Sequence, residues 1–340
     1  MSFFEIFLFA FNAIMPIVML ILLGFGLRRI GFLSDEFLQT ANRFVFNVSL
    51  PVLLFFNVYN IGNLGEIQWG TVIFALAMIV ILFASGFVFS KFFIRDKKQK
   101  GVIWQSFYRS NFAIIGLPLA QSLGGAEGIA VASILSAFSI PVFNAFAVVS
   151  LSVYTASDGK NKISVKDILY KIAKNPLITG VLLGLAVLVV RHFIPTDENG
   201  AHVFTVKNNI PFVYEAVSML SRIASPLALV VLGGKFRFDA IKELKNQIFA
   251  GTFARLVFAP VAGICLAVIC DGFGIFDFTS AHYAAFIALF GSPVAVSSAI
   301  MASQMDNDDQ LANQILVWTS IGSVFTLFLT VVVLKRFAMI

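Results

Sequence analysis

Asn111-Phe112-Ala113-Ile114-Ile115-Gly116-Leu117-Pro118-Leu119-Ala120-Gln121-Ser122 is the stretch on which the fold turns. It lies within an apolar run long enough to cross a bilayer, yet it carries a glycine and a proline near its middle. Proline has no N–H and its ring meets the carbonyl four residues back, so a helix bends or breaks there. The spacing predicts an interruption at Gly116 and Pro118, near mid-membrane. Adding 175 to each number finds the stretch again. Gly116 becomes Gly291 and Pro118 becomes Pro293, while Ala113, Ala120 and Ser122 become Ala288, Ala295 and Ser297. Five of the ten positions 113–122 therefore match.

One Gly-x-Pro alone reads as an ordinary kink, because transmembrane helices tolerate both residues. Two in a shared register read differently. With glycine near 7% and proline near 5% of residues, matching both at a preset offset is roughly a one-in-several-hundred event. Pro51 and Pro226 keep the same offset. Duplication is the better account, and paired, interrupted apolar segments in two halves of a chain point to a transporter's binding site.

Composition agrees. The 340 residues are 59% hydrophobic and 12% charged, with a mean hydropathy of +0.92, whereas a soluble domain has roughly 25% charged residues. A net charge of +6 raises nucleic acid as a partner. It is rejected, since the basic residues sit in short loops between apolar runs, where membrane orientation accounts for them. Cys265 and Cys270 lie in one apolar helix and the three histidines are scattered, so neither a metal site nor a disulfide framework is expected. Glu5 and the absence of a basic start argue against a cleaved signal peptide. There is no nucleotide-binding loop, HExxH helix or GxSxG elbow. No cofactor, catalytic residue or enzymatic step is expected.

A span needs about 20 apolar residues, and ten segments qualify, near 5–27, 36–59, 69–93, 102–124, 127–153, 175–194, 209–233, 247–270, 280–303 and 311–335. Lys and Arg crowd one set of loops: Arg28 and Arg29, Arg95 to Lys100, Lys160 to Lys174, and Lys235 to Lys245. The positive-inside rule then puts both termini outside a cell (plasma) membrane. The loop Asp306–Asp309 should be cytoplasmic and has no base, but acids weigh little in that rule. Ten spans divide as five plus five of inverted topology. Pro16 and Gly24 match Pro176 and Gly184 at an offset of 160, and an insertion around Pro195–Asn209 accounts for the change of offset. The fold class is an all-α polytopic membrane protein with a 5+5 inverted repeat.

If helices restart past Pro118 and Pro293, two helix N-termini face each other near the midplane, an arrangement that suits an anion. Asn111, Gln121, Ser122, Ser292, Ser297 and Ser298 could line it, or could merely satisfy the broken backbone. Arg222 lies midway along the seventh span, four residues before Pro226, and its repeat mate is Asn47. A guanidinium there suits a carboxylate, or serves an internal pair with Glu215. Arg43, Lys91 and Arg109 read as snorkelling cations near the cytoplasmic ends. Arg255 reads as deeper, paired with an acid or a helix end. No carboxylate stands convincingly at mid-depth, which leans toward efflux or uniport.

Asn42-Arg43-Phe44-Val45 followed by Pro51, together with Asn111-x4-Gly116-x-Pro118-Leu119, resembles the second and fourth spans of the auxin efflux carrier family. That family includes plant auxin carriers and bacterial permeases for malonate, malate and related acids. The resemblance covers all ten spans. It implies the fold of bile-acid symporters and sodium/proton antiporters, with helices 4 and 9 crossing at Pro118 and Pro293. It implies a scaffold of residues 1–60 and 175–240, and a transport part of residues 61–156 and 241–340 moving as an elevator. Residues 157–174 would be a cytoplasmic linker lying along the membrane surface. Asn111 would contact substrate beside the crossing, Asn47 and Arg222 would face the moving part, and the scaffold would form a homodimer. The plant carriers' long loop between spans five and six is absent, which favours a compact microbial permease. The expectation is a secondary transporter for a small mono- or dicarboxylate, with Asn111, Gly116, Pro118, Gln121, Ser122, Ser292, Pro293, Ser297, Asn47 and Arg222 as site residues. The rivals are a sodium-coupled bile-acid-like symporter and a ligand-sensing protein on the same fold.

Overall fold

The computed structural model describes residues 3–59, 68–155, 170, 174–195, 203–337 and 339–340. Apart from Tyr170 and Lys174, the linker expected at 157–174 lies outside them. Twelve helical elements follow one another within the described residues. They are α1 (Phe3–Arg29), α2 (Asp35–Tyr59), α3 (Trp69–Phe93), α4 (Lys97–Tyr108), α5 (Phe112–Ser152) and α6 (Pro176–His192), then α7 (Val206–Asn209), α8 (Pro211–Lys235), α9 (Asp239–Gly272), α10 (Ser280–Gly291), α11 (Val296–Gln304) and α12 (Asp309–Arg336). Six of them, α2, α3, α5, α8, α9 and α12, are long and apolar enough to cross a bilayer, and α6 and α10 are shorter apolar helices.

The helix starts are set by short polar side chains. Ser34, Asp96, Asn175 and Asp308 each accept a backbone N–H from the first turn of the helix they precede, satisfying donors that a helix cannot satisfy itself. Gly125 is the hinge within α5. Its φ of +61° is a backbone state open to glycine, and there the chain turns back, so that residues 112–124 and 126–152 form two limbs.

Three prolines share one device. A five-residue π turn spans Val45–Ser49, Phe112–Gly116 and Ala254–Phe258, in each case ending two residues before a proline: Pro51, Pro118 and Pro260. The wider turn moves the carbonyl four residues back away from the proline ring, and the residue before each proline (Leu50, Leu117 and Ala259) donates instead to the carbonyl five residues back. This corrects the expected interruption at Gly116 and Pro118. The helix is already re-formed by Phe112, and the π turn absorbs the proline without a break. In the second half the expectation holds, since Ser292 and Pro293 do lie between α10 and α11.

Glycines bring helices into backbone contact. A Cβ at Gly24 would stand 2.1 Å from the Val230 carbonyl oxygen, and one at Gly184 would stand 3.0 Å from that of Phe55, so α1 lies against α8 and α6 against α2. Gly184 is Gly24 plus 160, and Val230 is Phe55 plus 175. One contact thus occurs twice, at the two offsets found in the sequence. Helix α10 is buried from Ala281 to Gly291, as an element apolar all round must be. Leu22 and Leu23 on α1, Leu182 and Leu183 on α6, and Phe325 and Leu329 on α12 remain exposed, forming an apolar girdle suited to lipid.

The acidic turn that ran against the charge pattern is tied to the basic end. Asp309 pairs with Lys235 at 3.7 Å, Asp308 accepts from the Gln99 amide at 3.0 Å, and the Asp308 N–H donates to the Lys98 carbonyl at 3.2 Å. At that same end Lys235 and Asn42 both donate to the Ser303 hydroxyl at 3.2 Å. Gln314 donates to the Arg237 carbonyl at 2.7 Å. These bonds fasten α2 and α8 to the α11–α12 turn.

Candidate functional site: the crossing of two interrupted helices

The chain leaves helical geometry at Arg109, Ser110 and Asn111, and again from Ser292 to Ala295. The two interruptions meet. Ser110 and Val294 form an antiparallel bridge, and the Asn111 N–H donates to the Pro293 carbonyl at 2.8 Å. The Val294 N–H donates to the Thr319 hydroxyl of α12 at 3.3 Å. Each break thereby satisfies part of the other's backbone, which is what lets irregular chain persist inside an apolar bundle.

Two arginines stand at this crossing, and both are fully enclosed, Arg109 at 1% and Arg255 at 0% exposure. Arg255, from the π turn of α9, donates through Nε to the Ser292 carbonyl at 2.8 Å and through Nη2 to the carbonyls of Leu289 and Phe290. A cation on the last carbonyls of α10 offsets the negative end of that helix. The expectation of a deep pairing with a helix end holds for Arg255.

Arg109 is the larger surprise. It does not snorkel: α4 begins at Lys97, so Arg109 lies about 18 Å along the helix at 1.5 Å per residue. Its Nη1 donates to Gln105 Oε1 at 2.7 Å and approaches Met301 Sδ at 2.9 Å; its Nη2 donates to Asn144 Oδ1 at 3.0 Å and to Ser297 Oγ at 2.9 Å. All four partners are neutral, so its charge is held in place without being cancelled.

A cavity of about 60 Å³ opens beside Arg109. Ser110, Asn111, Asn144 and Ser297 supply its polar lining, α2 contributes Leu53 and Asn57, and α8 contributes Ser225. The amide nitrogen of Asn111 and the hydroxyl of Ser110 are buried and have no hydrogen-bond partner. Beside them α5 and α11 begin, with the free N–H groups and partial positive charge of helix N-termini.

Of the residues expected from sequence, Asn111 and Ser297 line this cavity. Pro293 and Ser292 are buried in the second interruption, where the Ser292 hydroxyl donates to the Ala288 carbonyl at 2.6 Å. Gly116 is buried against α10, where a Cβ would come within 3.0 Å of the Ala288 oxygen. Pro118 and Gln121 are exposed and Ser122 is half-buried, and none of the three lines the cavity. Asn47 is exposed and donates to the Arg43 carbonyl at 2.9 Å. Arg222 is exposed on α8, and neither it nor Asn47 lines the cavity. Arg109 and Asn144 were missed. The signal available for Arg109 was its distance of about 14 Å beyond Lys100.

A model of the family described as membrane transport protein matches residues 9–331. An uncharacterized transporter of Methanothermobacter thermautotrophicus is 24% identical over 97% of this chain and 100% of its own length. The uncharacterized transporter YfdV of Escherichia coli K12 is 25% identical over 94% of this chain and 95% of its own. One from Methanocaldococcus jannaschii is 26% identical over 75% of this chain and 78% of its own. With a match across nearly its whole length, and interrupted helices crossing beside a buried cation, the chain belongs to the membrane transport protein family, that of the auxin efflux carriers.

Proposed function

We propose that this protein is a secondary transporter for a small organic anion, bound at the crossing of the two interrupted helices and moved by alternating access. The observation that carries the reading is Arg109, a fully buried guanidinium on the wall of the crossing cavity whose hydrogen-bond partners are all neutral. An ionisable group inside a membrane bundle marks a substrate path by default, and a guanidinium fork matches a carboxylate. Asn111 and Ser297 keep the roles expected of them, and Arg109 takes the one expected of Arg222.

The wider reading is ten spans in an inverted 5+5 repeat, with α4 and the first limb of α5 forming one discontinuous span and α10 and α11 another. The twice-made glycine contact supports it. Helices α1, α2, α6 and α8 then form the scaffold, a homodimer contact included, and the rest slides past it. The bonds of Asn42 and Lys235 to Ser303 cross between these parts at the basic end, where they would hold the cytoplasmic side shut. Both termini lie outside the plasma membrane in this reading.

Counterflow in proteoliposomes tests it. Vesicles preloaded with a short carboxylic acid should take up labelled acid saturably, with no added energy source. Binding without exchange would favour a sensor, and flux lost when sodium is replaced by potassium would favour a coupled symporter.

A further inference from the structure

We infer that the cavity takes a monocarboxylate of about four to six heavy atoms, and that Arg109 is the residue that reads its charge. The inference rests on the transporter reading above and narrows its substrate class.

The first argument is charge. Among the described residues, Arg109 is the one cation in the cavity wall and no acid lines it. One fixed positive charge neutralises one carboxylate. A second carboxylate on the same ligand would meet only neutral side chains, apolar ones such as Leu53 and Phe143 or uncharged polar ones such as Asn57 and Ser225, and an ionised group stripped of water without a counter-charge is strongly disfavoured.

The second argument concerns unused donors. The Asn111 amide nitrogen and the Ser110 hydroxyl are buried, lie at the cavity and have no partner. A buried donor left unpaired is costly, so their retention beside Arg109 calls for an acceptor brought by the ligand. A carboxylate has two oxygens and about four lone-pair sites. It can meet Arg109, Asn111 and Ser110 together, while its alkyl part lies on the leucine and phenylalanine wall.

The third argument is size. About 60 Å³ of water-accessible space, at roughly 10–15 Å³ for each water position, holds about four to six such positions. Acetate, propionate and butyrate fit that room. Indole-3-acetate exceeds it by far, and malonate, one heavy atom larger than butyrate, both exceeds it slightly and brings the second charge.

The test is calorimetric binding to the purified full chain, paired with counterflow, using acetate, propionate, butyrate, malonate, indole-3-acetate and propionamide. Expected is saturable propionate binding, with malonate, indole-3-acetate and propionamide each at least about tenfold weaker. Arg109→Gln should abolish binding and Arg109→Lys should restore part of it. Asn111→Ala should weaken propionate binding about tenfold or more, the loss of a hydrogen bond to a charged group, and it carries the test if Arg109→Gln does not fold. Malonate or indole-3-acetate exchanging while propionate stays silent would overturn the substrate class and leave the transporter intact. Equal binding of propionate and propionamide, or unchanged binding in both variants, would overturn the role of Arg109. Silence toward every acid would overturn the anion-transport reading itself.

Discussion

Arg109 and Arg255 are both buried at the crossing, yet they do different work. Arg109 offers its charge to a cavity, whereas Arg255 directs Nε and Nη2 to the carbonyls that α10 leaves open at Leu289, Phe290 and Ser292. Arg255→Met should therefore cost stability, by about 3 kcal/mol or more, because buried carbonyls left unpaired cost about 1–3 kcal/mol each. Arg255→Lys should recover part of the loss. Thermal unfolding in detergent checks both, and a Met variant with unchanged Tm would remove Arg255 from its capping role. Depth along the chain does not by itself separate these arginines from Arg222. Depth along a span can be counted, and Arg222 does lie mid-span. The direction its side chain takes around the helix depends on which faces of α8 are packed, and Arg222 falls on an exposed one. Arg109 was misjudged for the opposite reason. Its span was counted from residue 102, while Asp96 caps the helix and starts it at Lys97.

At the scale of elements, the helices were legible because apolar runs of span length have few alternatives in lipid. The register of the first break was not. Pro118 looked like the interruption, but the π turn at Phe112–Gly116 accommodates it, and the chain breaks where α4 ends, at residues carrying no breaker. The glycines gave a firmer signal, since Gly24 and Gly184 recur at one offset and make the same contact. Gly24→Ala should push α1 off α8 and lower stability by about 2 kcal/mol, in the range for overpacking. Gly26→Ala is the control, because a Cβ there meets nothing within 4 Å; its Tm should hold or rise. A normal Tm in Gly24→Ala would show that the α1–α8 contact yields easily.

For the whole molecule, the central claim is that the crossing cavity is where substrate binds. Ser225 lines that cavity from α8, and Ser225→Cys places a reactive group there with little change of volume. Cys265 and Cys270 are free thiols, so they would first be replaced by alanine. The measurement is the rate at which a small thiol reagent labels Ser225→Cys in proteoliposomes, with and without carboxylic acids. Expected is labelling that propionate slows in a concentration-dependent way, reaching half its effect near the propionate concentration that half-saturates counterflow. Labelling at one rate, whichever acid is present, in a protein that still exchanges that acid would contradict it and put the substrate elsewhere.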